Sequence, residues 1–294
     1  MSNKSLYAHW CKCKNFGDAL NPYLLEKLTG LTVKYCNTQN PDLKYEFMQL
    51  LRALKHCRKY DFRQMKRPVL DKPVLLCIGS IMSRSHPNYL IWGAGFMDNT
   101  EHSGGGKSYL LRGPYSDKKF QQEGHEACGV YGDPALLLPL VYTPKVKQPT
   151  KIGIIPHLHD YAAIKKELPN ERIIYLNGEI EEVINEICSC EYIISTSLHG
   201  VIVAHAYGIP ALWVKKGYIY TDGIKFNDYF ASVDIPIYDG ASYNLSDFIG
   251  KKYEEIPNDV KKLMLPHKLL IDVQRDILHS APFEIKRTIL DKVK

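Results

Sequence analysis

The pattern of apolar and polar residues between positions 192 and 214 predicts a strand, a helix and a second strand in succession. The first strand, over 192–195, ends in hydroxyl residues that are well suited to begin a helix. The helix over 198–207 is apolar on nearly every side, which is typical of a buried helix. Gly208 and Pro210 end it, and the second strand follows over 211–214. In such a unit the helix N-terminus lies at the carboxyl edge of a sheet, where its free N–H groups attract anions.

Strands and helices alternate along most of the chain. Strands are predicted over 29–36, 74–78, 90–92, 109–112, 151–155, 172–176 and 235–238, and helices over 19–28, 45–60, 158–168 and 179–190. This alternation of apolar strands with helices indicates an α/β protein with parallel, doubly wound sheets. A proline-containing segment without periodicity, 142–150, is interpreted as a linker. We therefore expect an N-terminal α/β domain (1–145), a C-terminal α/β domain (146–265) and a helical tail (266–294).

Positive charge is concentrated in one segment of the N-terminal half. The chain has a net charge of +6, and residues 44–67 alone contain eight Lys or Arg and two acidic residues. The helix predicted there, basic over 45–67, is either a solvated basic face or a surface for an anionic membrane. No nucleic-acid-binding motif accompanies it, so we expect no nucleic-acid partner.

The apolar runs and the cysteines bear on where the protein works. No apolar run is long enough to cross a bilayer, and the start of the chain has no signal-peptide core. The sequence therefore predicts a cytoplasmic protein. The cysteine pairs Cys11/Cys13 and Cys188/Cys190 have C-x-C spacing rather than that of zinc knuckles, so we expect no metal site.

The candidate anion site is the turn before the buried helix, formed by Ser195, Thr196, Ser197, Leu198, His199 and Gly200. No acidic residue occurs over 192–221, whereas that interval contains His199, His205, Lys215 and Lys216. One interpretation is a buried unit with no room for carboxylates, in which His199 is only a capping or packed residue. The other is a pocket for a small anionic substrate.

Other candidate side chains follow predicted strands or begin predicted helices. Asn15 and Asp18 stand in the turn NFGD, where Asp18 is either a helix cap or a carboxylate over a cleft. Gly79 and Ser80 end one strand, and Arg112 ends another, as a salt-bridge partner or a bidentate ligand for phosphate. His157 follows the strand at 151–155. Ligands of doubly wound sheets bind beyond the carboxyl ends of strands, so His157 and the turn at His199 can share one site.

Seven segments together resemble the polysaccharide pyruvyl transferase family. In chain order they are NFGD, CIGS, WGAGF, LRGPYS, YGDPALLLP, IPHLHD and ISTSLHGVIVAHAYGIPALWV, and the resemblance covers residues 15–230. It implies two Rossmann-like domains in the arrangement of GT-B glycosyltransferases, with the active site in the cleft. It also implies transfer of pyruvate from phosphoenolpyruvate to two hydroxyls of one sugar, giving a cyclic ketal and phosphate.

The resemblance assigns roles to particular residues. Arg112 matches an arginine that binds the donor, and Leu198, His199 and Gly200 match an Arg-Leu-His-Gly turn in which Ser197 replaces the arginine. A cation is therefore missing, and His157, Lys215 or Arg84 is expected to replace it. His199 is the expected acid–base residue, and Asp18 the expected base for the sugar hydroxyl.

No cofactor is required besides phosphoenolpyruvate as co-substrate. The expected acceptor is a capsule or exopolysaccharide repeat unit on a polyprenyl pyrophosphate carrier, which would place the protein on the inner face of the plasma membrane. Two alternatives remain open at this point: a GT-B-type glycosyltransferase that uses a nucleotide sugar, and a non-catalytic basic binding module.

Overall fold

The computed structural model describes residues 5–12, 15–36, 50–51, 54–55, 73–126, 128–146, 150–217 and 221–294. Its strands form two sheets, and every strand pairing in them is parallel. The first sheet contains β1 (Ser5–His9), β2 (Thr32–Tyr35), β3 (Val74–Leu76), β4 (Tyr89–Trp92) and β5 (Lys107–Leu110), in the order β2-β1-β3-β4-β5. The second contains β6 (Thr150–Ile155), β7 (Cys190–Ser195) and β8 (Ala211–Trp213), in the order β6-β7-β8. The predicted α/β class is confirmed.

Helices connect and cover these strands. They are α1 (Phe16–Thr29), α2 (Pro114–Gln122), α3 (Leu138–Val141), α4 (Tyr161–Glu167), α5 (Ile180–Cys188), α6 (Leu198–Ala206), α7 (Ile224–Ser232), α8 (Asn258–Lys261), α9 (Leu270–His279) and α10 (Arg287–Leu290). Among the described residues, no helix is both long enough and apolar enough to span a membrane.

The predicted unit β7–α6–β8 forms with nearly the expected bounds. Gly208 follows α6 with φ of +72°, the left-handed conformation that ends helices and that glycine adopts without steric cost. The helix is buried because strands and helices surround it, and Val201, Ile202 and Val203 are fully inaccessible. Its N-terminus therefore has a fixed position at the carboxyl edge of the second sheet.

One apolar cluster joins the two halves of the chain. It includes Leu24 of α1, Ile193 of β7, Val201 of α6 and Ile277 of α9, all fully buried. The C-terminal tail belongs to this core, since the Trp92 indole N–H donates to the carbonyl oxygen of Ile277 at 3.2 Å. Of the tail predicted to be helical over 266–294, α9 and α10 are α-helical.

Several predicted elements differ from the observed ones. The predicted strand at 172–176 makes only an isolated bridge, between Ile154 and Ile173. No strand occurs at 235–238, where Pro236 has no N–H to give to a ladder. The helix predicted over 158–168 is confined to α4. Of the predicted helix at 45–60, residues 50–51 and 54–55 are described and helical, and its basic remainder lies outside the described residues.

Candidate active site

The turn between β7 and α6 is held by side chains that point into the protein. The Ser195 hydroxyl accepts the N–H of Ser197 at 3.0 Å, and the Thr196 hydroxyl donates to Asp160 at 3.0 Å while accepting the N–H of His157 at 2.7 Å. Ser195 and Thr196 are almost fully buried, and a Cβ on Gly200 would lie 2.5 Å from the Ser195 oxygen. These three residues shape the turn and are not among the residues that line the cavity in front of it, and their contact with substrate stays a prediction.

Ser197 is the N-cap of α6, but its side chain makes no capping hydrogen bond. The first N–H groups of the helix are therefore left without a side-chain acceptor from the cap. An oxygen of a bound anion is a suitable acceptor for such groups, and the helix dipole adds a favourable interaction.

A cavity of about 500 Å³ opens in front of this turn. Nine predicted site residues line it: Asn15, Asp18, Gly79, Ser80, Arg84, His157, Ser197, Leu198 and His199. The segments that contribute them follow β1 and β3 of the first sheet and β6 and β7 of the second. The cavity thus lies at the carboxyl ends of strands from both sheets, as expected for ligands of doubly wound proteins.

Asp18 lies in the first turn of α1 rather than at its cap. The cap is Asn15, whose side chain accepts the N–H of Gly17 at 3.2 Å, and the helix begins three residues before the predicted start. One Asp18 carboxylate oxygen accepts the N–H of Cys11 at 2.9 Å. The capping alternative is therefore wrong, and Asp18 is a nearly buried carboxylate that lines the cavity.

His199 lies in the first turn of α6 with its ring mostly buried, 12% of the side chain being exposed. Its Nε2 is 3.6 Å from the Oδ2 of Asp133, a fully buried carboxylate. The opposite edge of the ring packs on Gly17 at the start of α1: a Cβ there would lie 2.1 Å from Nδ1. His199 is thus clamped between the two halves of the chain at the cavity wall.

Arg112 is not among the residues that line the cavity, and its predicted contact with the donor stays a prediction. It is fully buried and forms an ion pair with Asp228 of α7 at 3.1 Å. Its other nitrogens donate to the hydroxyl of Ser80 at 2.7 Å and to the carbonyl oxygen of Phe96 at 2.6 Å. Arg112 therefore holds the cavity-lining Ser80 and anchors α7.

The cavity also contains a buried cation that the sequence analysis did not name as a site residue. Lys225 of α7 lines the cavity, is 7% exposed and forms no ion pair with any described residue. Burial, with a smaller contribution from Arg112, lowers the pKa of its ammonium to about 8. Its only sequence signal is its position as the one lysine in the aromatic segment GIKFNDYF.

The three residues expected to replace the missing cation lie in different surroundings. Burial, together with Lys225 and His159, lowers the pKa of His157 to about 4, so this cavity-lining imidazole is neutral near pH 7. Lys215 lines a separate cavity, together with Trp213 and Asn227. Arg84 does line the candidate site.

The opposite wall, from the first sheet, is aromatic and was not predicted. Trp10 and Tyr35 contact each other edge to face, with ring centroids 5.0 Å apart, and the Lys12 ammonium lies 3.9 Å from the centre of the Tyr35 ring. All three line the cavity. Such a wall suits a ring-shaped ligand with apolar faces and polar edges. Nowhere in the described ranges are three or more His, Cys, Asp or Glu side chains grouped to hold a metal ion.

The fold and this cavity define a class: an α/β protein in which a helix N-terminus without a side-chain cap, a histidine and a carboxylate line one cavity at the ends of two parallel sheets. The sequence profile of the polysaccharide pyruvyl transferase family matches residues 15–215. The chain belongs to that family. It is also 29% identical over 246 residues to an uncharacterized protein of Acanthamoeba polyphaga mimivirus. The aligned region covers 78% of this chain and 74% of the viral protein. No solved structure matches the chain.

Proposed function

We propose that this protein transfers pyruvate from phosphoenolpyruvate to two hydroxyls of one sugar, forming a cyclic ketal and releasing phosphate. The observation that supports this most is the cavity itself, in which the uncapped N-terminus of α6 and the buried Lys225 face the same space as His199 and Asp18. A donor with a carboxylate and a phosphate requires several positive or N–H donor groups at one end of its site.

The donor end of the site is proposed to be the turn at Ser197–His199 together with Lys225 and Arg84. Lys225 takes the place of the arginine that family members carry at the position of Ser197. Its ammonium is desolvated, so its interaction with a phosphate or carboxylate oxygen is stronger than that of an exposed lysine. No cofactor is needed for this chemistry.

The reaction requires one proton to be added and two to be removed. His199 donates a proton to the methylene carbon of phosphoenolpyruvate, and the adjacent carbon is attacked by the first sugar hydroxyl, whose proton passes to Asp18. The second hydroxyl then forms the other C–O bond as the C–O bond to phosphate breaks, and its proton leaves with the phosphate or the imidazole. The N–H groups at α6 and the Lys225 ammonium stabilise the negative charge that builds up on the leaving phosphate.

The acceptor is proposed to be a sugar of a capsule or exopolysaccharide repeat unit on a polyprenyl pyrophosphate carrier. The two sheets, each with its carboxyl ends at the cavity, support a GT-B-like arrangement of two domains. The basic segment at 44–67 would let a cytoplasmic protein associate with the inner face of an anionic membrane.

A nucleotide-sugar glycosyltransferase is the rival with the same expected architecture. Such enzymes often bind the nucleotide ribose with a glutamate near the corresponding helix, and residues 192–221 contain no acidic residue. A thermal-shift comparison separates the two: phosphoenolpyruvate is expected to raise Tm, and nucleotide sugars are not.

Mass spectrometry tests the proposal directly. Lipid-linked glycans incubated with the protein and phosphoenolpyruvate are expected to gain the mass of a pyruvyl ketal, with stoichiometric release of phosphate. The His199→Ala variant serves as the inactive control. Glycans that gain a hexose from a nucleotide sugar instead would contradict the proposal.

A further inference from the structure

The carboxylate of Asp133 and the imidazole of His199 face each other behind the cavity wall. Asp133 caps the short 3₁₀ helix at Pro134–Leu137 with one oxygen, Oδ1, which accepts the N–H of Ala135 at 2.9 Å. Its Oδ2 is buried and has no hydrogen-bond partner among the described residues. The same is true of His199 Nε2, 3.6 Å away.

Two buried polar atoms that face each other without a hydrogen bond are energetically unfavourable. Each atom costs free energy when it is removed from water without a partner, and this cost is largest in an apolar environment. Asp133 is fully buried, and its charge adds to the effect of burial in raising the pKa values of Cys77 and Tyr229. A small movement of the ring would bring Nε2 within hydrogen-bond range, and catalytic hydrogen bonds are often long before substrate binds.

The opposite edge of the imidazole determines which nitrogen remains for substrate. Nε2 has almost no accessible surface, whereas Nδ1 lies on the ring edge beside Gly17, at the start of α1. His199 lines the cavity, and Nδ1 lies on the edge of its ring away from Asp133.

We propose that Asp133 is a positioning residue that holds His199 with a proton on Nε2 and leaves Nδ1 as the nitrogen that exchanges protons in the cavity. The catalytic consequence rests on the proposed pyruvyl transfer, but the protonation of the ring does not.

Other charged or titratable groups act on the same imidazole. Asp18 at the start of α1 lines the cavity near it, as do His157, Lys225 and Arg84 from the other segments. They face the cavity, whereas Asp133 is the carboxylate behind the ring. Replacing Asp133 alone therefore separates its contribution from theirs.

The test is NMR of the full chain labelled with ¹⁵N-histidine, with His199 assigned by the loss of its signals in His199→Gln. In the wild-type protein, neutral His199 is expected as the Nε2–H tautomer. In Asp133→Asn, which keeps an oxygen for the Ala135 cap, the preference of His199 for the Nε2–H tautomer should weaken. Asp160→Asn is the matched control, because this carboxylate bonds Thr196 and should leave His199 unchanged.

Two results would overturn the proposal: an Nδ1–H tautomer in the wild-type protein, or an unchanged His199 tautomer in Asp133→Asn. The wild-type spectrum decides the first even if the variant does not fold.

The kinetic counterpart uses the same variant. Asp133→Asn is expected to lower kcat by about 10- to 100-fold with little change in phosphoenolpyruvate binding. In a His199→Gln background the substitution should have no further effect, since it acts through that ring. An additive loss would contradict the assignment. If no acceptor yields a ketal, the proposed function fails while the NMR result stands.

Discussion

Replacing Lys225 by methionine removes one buried ammonium from the candidate donor site and preserves most of the side-chain volume. The residue is 7% exposed and lines the cavity, and its pKa of about 8 leaves it about 90% protonated at pH 7. A hydrogen bond to a charged group contributes roughly 1.5–3 kcal/mol, which corresponds to about 10- to 150-fold in Kd. Because the site is desolvated, we expect the upper part of this range, about 100-fold weaker binding of phosphoenolpyruvate.

Isothermal titration calorimetry with phosphoenolpyruvate measures this effect without knowledge of the acceptor. The matched control is Lys215→Met, which removes the same charge from a lysine on the separate cavity and should change Kd by less than about 2-fold. Lys225→Arg should retain most of the affinity. The reasoning is refuted if the two methionine variants bind phosphoenolpyruvate equally well.

Three further predictions concern the same site. The affinity for phosphoenolpyruvate should be highest at pH values below about 8, the pKa of Lys225, and should fall as the pH rises through that value, because the lysine loses its charge. An affinity that does not change from about pH 7 to 9 would count against this. Gly17→Ala should lower kcat about 100-fold, because its Cβ would lie 2.1 Å from Nδ1 of His199; Gly178→Ala, with its nearest contact at 3.4 Å, should retain activity. Arg112→Met should lower the free energy of unfolding by about 3–5 kcal/mol, because it leaves Asp228 buried without its partner. Adding Asp228→Asn should restore part of this loss. Urea denaturation measures both variants, and an unchanged midpoint would contradict a stabilising buried ion pair.

Local sequence signals were sufficient to predict the element that positions the site. The unit from β7 to β8 has hydroxyl residues before its helix, an apolar helix, and Gly208 and Pro210 after it, all within a short stretch of chain. The strand predicted at 235–238 does not form, and the reason is also local: Pro236 cannot donate to a strand ladder. The prediction gave more weight to the apolar pattern than to this proline.

The surroundings of Arg112, and the cavity residues that were not predicted, depend on contacts between distant parts of the chain. Arg112 was predicted to bind a ligand, but its charge is neutralised by Asp228, which lies 116 positions later. Lys225 and Trp10 reach the cavity only because α7 and the end of β1 meet there. A helix start and a strand end are visible in a sequence, whereas the side of a cavity that a lysine faces is not.

A crystal structure with bound phosphoenolpyruvate tests the central claim most directly. The account predicts donor oxygens about 2.7–3.1 Å from the Lys225 ammonium and from N–H groups at the start of α6, with the methylene carbon beside His199. A donor bound elsewhere, or one that leaves Lys225 and His199 without contact, would contradict it.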